Sequence, residues 1–305
     1  MTDDYLTLGC DGKTHRVLLR PAVKNINQQL FTITEYLDVL PMGKDRGCSQ
    51  TNNNMAKQSG IFQVEGTLGN VTFVKTQDGY LVKTKSAVSK ARRASDPAFQ
   101  RTRENNSEFG RAGKAGQVLR TAVRNLSKTA KDNRLASRLT KEMMKVLKAD
   151  ATSIRGMRNV VDGEAEMLEG FEFNIKAQLS STLFAKYEST INRVTGMLDV
   201  TIPSFVPIND LVVPDGSTHF SIVSGGASVD FEAQTFEEIT SASAIVPIDA
   251  TPTALQTLSN ALPAASTHPL FLLLGIQFFQ QVNGINYPLK NGAFNALQIV
   301  GVSGV

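Results

Sequence analysis

LFLLLGIQFFQQVNGINYPLKNGAFNALQIVGV, residues 270–302, decides the fold class. Leu270 to Leu274 are apolar without a break, which suits a central strand buried on both faces. Asn283-Gly284 and Asn291-Gly292 fall between apolar runs, and Asn-Gly favours the positive φ values of a tight hairpin. The segment predicts a central strand, a hairpin partner, and a last strand after the second Asn-Gly step.

Further strands are legible upstream. In FEFNIKAQL, residues 171–179, Phe171, Phe173, Ile175, Ala177 and Leu179 alternate with Glu172, Asn174, Lys176 and Gln178, predicting a strand with one wet face. TINRVTGMLDVTIPSF reads as a hairpin around Thr195-Gly196 with Leu198, Val200 and Ile202 inward. STHFSIV places Phe220 and Ile222 on one face and His219 on the other; ASVDFEAQTF and ITSASAIVPI add two more strands. Together, about eight or nine strands punctuated by Gly, Pro and Asn predict an antiparallel β-sandwich over residues 159–305.

Residues 95–149 are the long segment with helical periodicity. Asp96-Pro97 is a start signal, because Asp accepts N–H groups of the first turn and Pro fits the first helical position. Phe99, Thr102, Asn106 and Phe109, then Leu119, Val123 and Leu126, recur at spacings of three and four. Each of Gly110, Gly113 and Gly116 costs a helix interior about 1 kcal/mol relative to Ala. Either another backbone approaches closely there, which is the expectation, or two helices meet. Asp132-Asn133 starts a second helix with Leu135, Leu139, Met143 and Val146 on one face, and the two helices are expected to form an antiparallel hairpin. Ahead of them, Ile61–Glu65, Val71–Thr76 and Tyr80–Lys85 read as a small β-meander.

The predicted fold is therefore α+β: a β-meander and a basic helical hairpin over residues 55–158, then the sandwich. Residues 1–54 lack a sustained period, although FTITEYLDVL suits one short element, and they end in the polar run CSQTNNN. Met-Ala-Lys at residues 55–57 resembles a bacterial translation start. Residues 1–54 are expected to be a mis-called extension, with a disordered arm as the alternative.

Charge divides the chain. Residues 75–158 hold 21 Lys and Arg against 7 Asp and Glu, a net of +14; residues 159–305 hold 4 against 14, a net of −10. Such a division draws an anionic partner to the middle of the chain, or one copy to another. The cations proposed to meet a polyanion are Arg101, Arg103, Arg111, Lys114, Arg120 and Arg124.

Catalytic signatures are absent. GRAGKAG is not a phosphate loop, because Glu108 stands where the first Gly belongs and Ala115 follows Lys114 where Ser or Thr holds magnesium. Asp162, Glu164, Glu166 and Glu169 lack the ligand spacing of a calcium loop and read as a solvated acidic patch. His219 and His268 are too few for a zinc centre, and no GxSxG elbow accompanies them. Cys10 and Cys48 are the only cysteines, so no disulfide framework spans the main body. LTLGC at residues 6–10 follows MTDDY, which supplies neither a basic nor an apolar leader region, and no apolar run is long enough for a spanning helix.

At GTLGNVTFVKTQDGY, DPAFQRTRENNSEFGRAGKAG and FFQQVNGINYPLKNGAFNAL the chain resembles an uncharacterised family of bacterial proteins, typical of Bacteroidota, that begin near MAKQSG. The resemblance covers about residues 55–305 and implies no functional residues. The sequence thus predicts a non-catalytic structural or protein-interaction role, without cofactor or metal. Its expected partner is an acidic protein surface or a second copy, and no membrane span is expected. Nucleic-acid binding through residues 96–149 is the alternative. With neither signal peptide nor spanning segment, the default location is cytoplasmic.

Overall fold

The computed structural model describes residues 5–10, 13–18, 55–57, 64–76, 79–84, 88–161 and 163–304. They fall into two compact units, Met1–Lys85 and Ser86–Val305. The architecture is α+β, with an N-terminal meander, helices and C-terminal antiparallel sheets.

In the first unit, β1 (Tyr5–Cys10) and β2 (Lys13–Leu18) pair antiparallel within a segment that carries no strand period in the sequence. FTITEYLDVL lies outside the described residues. β3 (Met55–Lys57), β4 (Gly66–Leu68), β5 (Val71–Thr76) and β6 (Gly79–Thr84) form a sheet ordered β3-β6-β5-β4. The last two strands stand where the sequence places them. Of the run read as Ile61–Glu65, Ile61–Gln63 lie outside the described residues, and the described strand nearest to it is Gly66–Leu68. Leu68 faces Val71, so Gly69-Asn70 is the two-residue loop, and Gly69 takes φ +57° there.

The second unit opens with α1 (Lys90–Ser95), where Ser89 Oγ accepts the Arg92 N–H. Asp96 Oδ1 accepts the Ala98 N–H and starts a 3-10 turn, Pro97–Phe99, that runs into α2 (Gln100–Ala122). A single-turn helix, α3 (Arg124–Ser127), precedes α4 (Leu135–Ala149). α2 and α4 pack as an antiparallel hairpin: Gly116 meets Leu139 and Met143, while Glu104, a dozen residues earlier, meets Arg155 beyond the end of α4.

Two expectations for α2 fail. Gly110 and Gly113 mark neither a break nor a close approach, because a Cβ at either would meet nothing within 4 Å. Gly116 alone of the three faces α4, where a Cβ would stand at an ordinary 3.6 Å from the Leu139 side chain. The Phe99, Thr102, Asn106, Phe109 stripe is not the inward one. Glu108, Ala112 and Ala115 are buried there instead, whereas Leu119, Val123 and Leu126, the later part of the stripe, are buried as predicted. α4 buries Leu135, Leu139, Met143 and Val146 as predicted.

α5 (Leu179–Thr182) and α6 (Pro207–Asp210) are single turns among the strands. The strands are β7 (Glu188–Asn192), β8 (Met197–Ile202), β9 (His219–Asp230), β10 (Thr235–Ala242), β11 (Val246–Pro247), β12 (Gln256–Ala261), β13 (Leu270–Val282), β14 (Ile285–Pro288) and β15 (Ala296–Ser303). β12-β8-β7 form one antiparallel sheet. The other runs β10-β9-β13-β14, with β11 on β9 and β15 on β13.

Side-chain alternation along β13 builds two cores. Leu270, Leu272, Leu274, Ile276 and Phe278 face Leu198, Val200, Ile202 and Leu258 of the smaller sheet. Phe271 and Leu273 face the other way, with Val223, Ala227 and Val229 of β9, into the layer of α2 and α4. The order is helices, large sheet, small sheet. Gly225 of β9 lies under the helix connection, where a Cβ would stand 2.4 Å from the Leu126 side chain. The helices, grouped with the meander by sequence, therefore share a core and a compact unit with the strands.

FEFNIKAQL is not a strand. Glu172 makes one isolated bridge to Gln298; then the Asn174 side chain turns the chain by accepting the Lys176 N–H and donating to Ala293 O and Asn295 O. Phe171, Phe173, Ala177 and Leu179 are buried, but Ile175 is exposed. Asn283-Gly284 does close the β13-β14 hairpin, as predicted. Asn291-Gly292 closes no hairpin; it ends a 3-10 turn, Leu289–Gly292. β15 returns to β13 itself, covering Leu270–Ile276 beyond the four residues that pair with β14. Among the described residues no helix is long and apolar enough to cross a membrane.

Candidate anion-binding site

The end of α2 sets the site. Ala122, Val123 and Leu126 turn inward, so Gln117, Arg120, Thr121, Arg124, Asn125 and Lys128 turn outward. The helical register survives the change from α2 to α3, because Ser127 N–H donates to Val123 O and Lys128 N–H to Arg124 O. Arg120, Arg124 and Lys128, four residues apart, stay on one side and are joined by Lys131.

These four cations line a hollow of about 610 Å³ whose far wall is Leu135 at the start of α4. Among the described residues no carboxylate lines it. Glu238 of β10 reaches its edge and accepts a hydrogen bond from Asn125 Nδ2. Arg120 Nε donates to Gly116 O at 3.2 Å, which holds that guanidinium along the helix. Arg124, Lys128 and Lys131 are exposed. Like charges at i,i+4 each cost a helix about 0.2–0.5 kcal/mol, which is offset here because Arg120 and Arg124 lie in the last turns of α2 and α3, where the helix dipole favours cations.

The six cations singled out from sequence do not form one surface. Arg120 and Arg124 come together in the hollow. Arg101 pairs with Glu104 at 2.9 Å. Arg103 Nη1 donates to Arg93 O and Asp96 O, fastening the turn before α2. Arg111 Nη1 donates to Gly156 O at 2.7 Å and Arg158 O at 3.1 Å, tethering the loop after α4. Lys114 lines a separate hollow of about 230 Å³ beside Arg111. Lys128 and Lys131 were missed. The four-residue repeat Arg120, Arg124, Lys128 was the signal for the first; Lys131 joins only through the turn between helices.

The carboxylates near the hairpin are structural. Burial pushes the Asp132 carboxyl up, but the N–H groups of Ile175 and Arg134 and the Arg138 guanidinium outweigh it and hold the group below its ordinary value. Asp150, fully buried after α4, behaves alike: burial raises it, and the N–H groups of Ser153 and Asn159 with the Thr152 hydroxyl bring it well below the usual carboxylate range. Burial pushes Glu172 up to about 7.

A cleft of about 360 Å³ at the end of β9 brings Asp230, His268, Ser228 and Ser266 together. The two serine hydroxyls bond each other at 2.9 Å, and His268 Nε2 stands 3.9 Å from Asp230, beyond hydrogen-bond reach. Among the described residues no group of three or more His, Cys, Asp or Glu side chains is placed to hold a metal ion. No family model, curated protein or solved structure matches the chain.

Proposed function

We propose that this chain is a non-catalytic interaction protein that docks an acidic protein surface in the hollow of Arg120, Arg124, Lys128 and Lys131. The observation that carries the reading is the row of cations at four-residue spacing lining a hollow that holds no carboxylate among the described residues. Complementary charge of this kind steers a partner and fixes its register. A protein is favoured over nucleic acid because no aromatic side chain lines the hollow to stack on bases. Arg103 and Arg111 are moreover spent on backbone carbonyls.

Titration of the full chain with fluorescent polyglutamate, and with single-stranded DNA of equal charge, tests the reading. Polyglutamate is expected to bind at low salt. Reversing Arg124→Glu with Lys128→Glu should weaken it about tenfold, as should a rise to physiological salt. Tighter, hollow-dependent binding of DNA would replace the reading with nucleic-acid binding. Binding of neither probe at low salt would end it.

A further inference from the structure

Two neighbours on α2 break the rule for an amphipathic helix. Glu108 is 2 % exposed and Phe109 is 61 % exposed. A buried charge and an exposed large ring are the placements that call for explanation. Glu108 has one within the fold, since its Oε1 accepts the Gly156 N–H. The explanation for Phe109 lies outside the fold. Its ring borders a hollow of about 660 Å³ with Ala136 and Met144, and with Lys141, Lys145 and Lys148. Among the described residues no carboxylate lines this hollow; Glu142, beside Lys141, pairs with Lys145 at 2.6 Å, and the balance there stays positive.

We propose that this hollow receives a protein segment that is apolar along one side and acidic along its flanks. Apolar side chains would enter against Phe109 and Met144, and carboxylates would meet Lys141 and Lys148, in the manner of an amphipathic helix laid in a groove. The charge selects an acidic partner and the concavity selects a peptide: a lipid surface takes up protruding apolar residues but does not fill a hollow of this volume. The site is independent of the Arg120–Lys131 hollow, with which it shares no lining residue.

The test uses the full chain and two fluorescent peptides with the same leucine ridge, one flanked by glutamates and one by lysines. The glutamate-flanked peptide is expected to bind at least about tenfold more tightly, and Phe109→Ser to weaken it about tenfold, as for an anchor residue. Lys141→Glu with Lys148→Glu should reverse the preference between the peptides. Arg124→Glu with Lys128→Glu, in the other hollow, should leave it within about twofold. The substituted positions are exposed, and thermal melting of each variant verifies the fold. Equal binding of the two peptides, or affinity indifferent to Phe109→Ser, would overturn the proposal. So would anionic vesicles or a second copy of the chain proving to be what Phe109→Ser releases. Loss of peptide binding on reversing Arg124 and Lys128 would remove the groove as a separate site.

Discussion

Glu108 and Arg111, one turn apart on α2, grip both polar groups of a single residue: Glu108 accepts the Gly156 N–H at 2.7 Å, and Arg111 donates to Gly156 O at 2.7 Å. A carboxylate inside the helix layer thereby fixes the loop that follows α4. Glu108→Ala strands a buried N–H, which costs about 1–3 kcal/mol, whereas Glu108→Gln keeps an acceptor in place and should cost less. Urea unfolding measures both. An alanine variant as stable as the parent would show that the grip contributes nothing.

Gly110 and Gly113 lie in mid-helix with open space where a Cβ would stand. Gly110→Ala and Gly113→Ala should each therefore raise stability by roughly 0.5–1 kcal/mol, from backbone entropy alone. Thermal melts would reveal the gain as a higher Tm, and a lower Tm in either variant contradicts the packing described.

These same glycines mark where the sequence is legible and where it is not. Leu270–Leu274 announces a strand buried on both faces, because the apolar run is short and leads to an Asn-Gly turn. Leu135, Leu139, Met143 and Val146 announce the inward side of α4 by recurring at spacings of three and four. On the first half of α2 the inward side is Glu108, Ala112 and Ala115, which carry almost no periodic signal, so Phe109 draws the eye to the wrong face there; from Val118 and Leu119 onward the apolar spacing is a true guide. FEFNIKAQL has a strand's alternation, but Asn174 uses its side chain to bind Ala293 O and Asn295 O and diverts the chain. Half of the cationic row was visible, in Arg120 and Arg124. Lys131 was hidden because its place depends on a turn rather than on helical spacing.

Stability should depend on pH through carboxylates shifted in opposite directions. Glu172 is raised to about 7 by burial, and its Oε2 has no hydrogen-bond partner. Its contribution is full below its ordinary value of 4.5 and is lost as pH rises through about 7. Asp132 and Asp150 are lowered, so theirs is full above 3.8 and is lost as pH falls further. For these three groups stability is greatest between those values, near pH 4. Glu172→Gln should leave stability unchanged near pH 4 and raise it near pH 8, by about 1 kcal/mol or less once solvent screening is allowed for, read as a higher Tm at pH 8 alone. An equal effect at both pH values would refute the assignment.

Neighbouring substitutions on β13 should report on different cores yet on one transition. Leu272→Ala opens the layer between the sheets at a cost of about 2–5 kcal/mol, and Phe271→Ala opens the helix layer at about 3–5 kcal/mol. Calorimetry of either variant is expected to show a single, lowered peak for the unit Ser86–Val305. Two separated peaks would mean that the helices melt apart from the strands.

That strand, with a neighbour on either side, also decides how the chain can be cut. A fragment starting at residue 159 keeps the sheets but strips away α2 and α4, leaving the core of Phe271, Leu273, Leu297 and Ile299 without its helix side and covered only in part by Leu168, Phe171, Phe173 and Phe231. Such a piece would clump through that face rather than stay dispersed, so a workable excision begins ahead of α1, near residue 86.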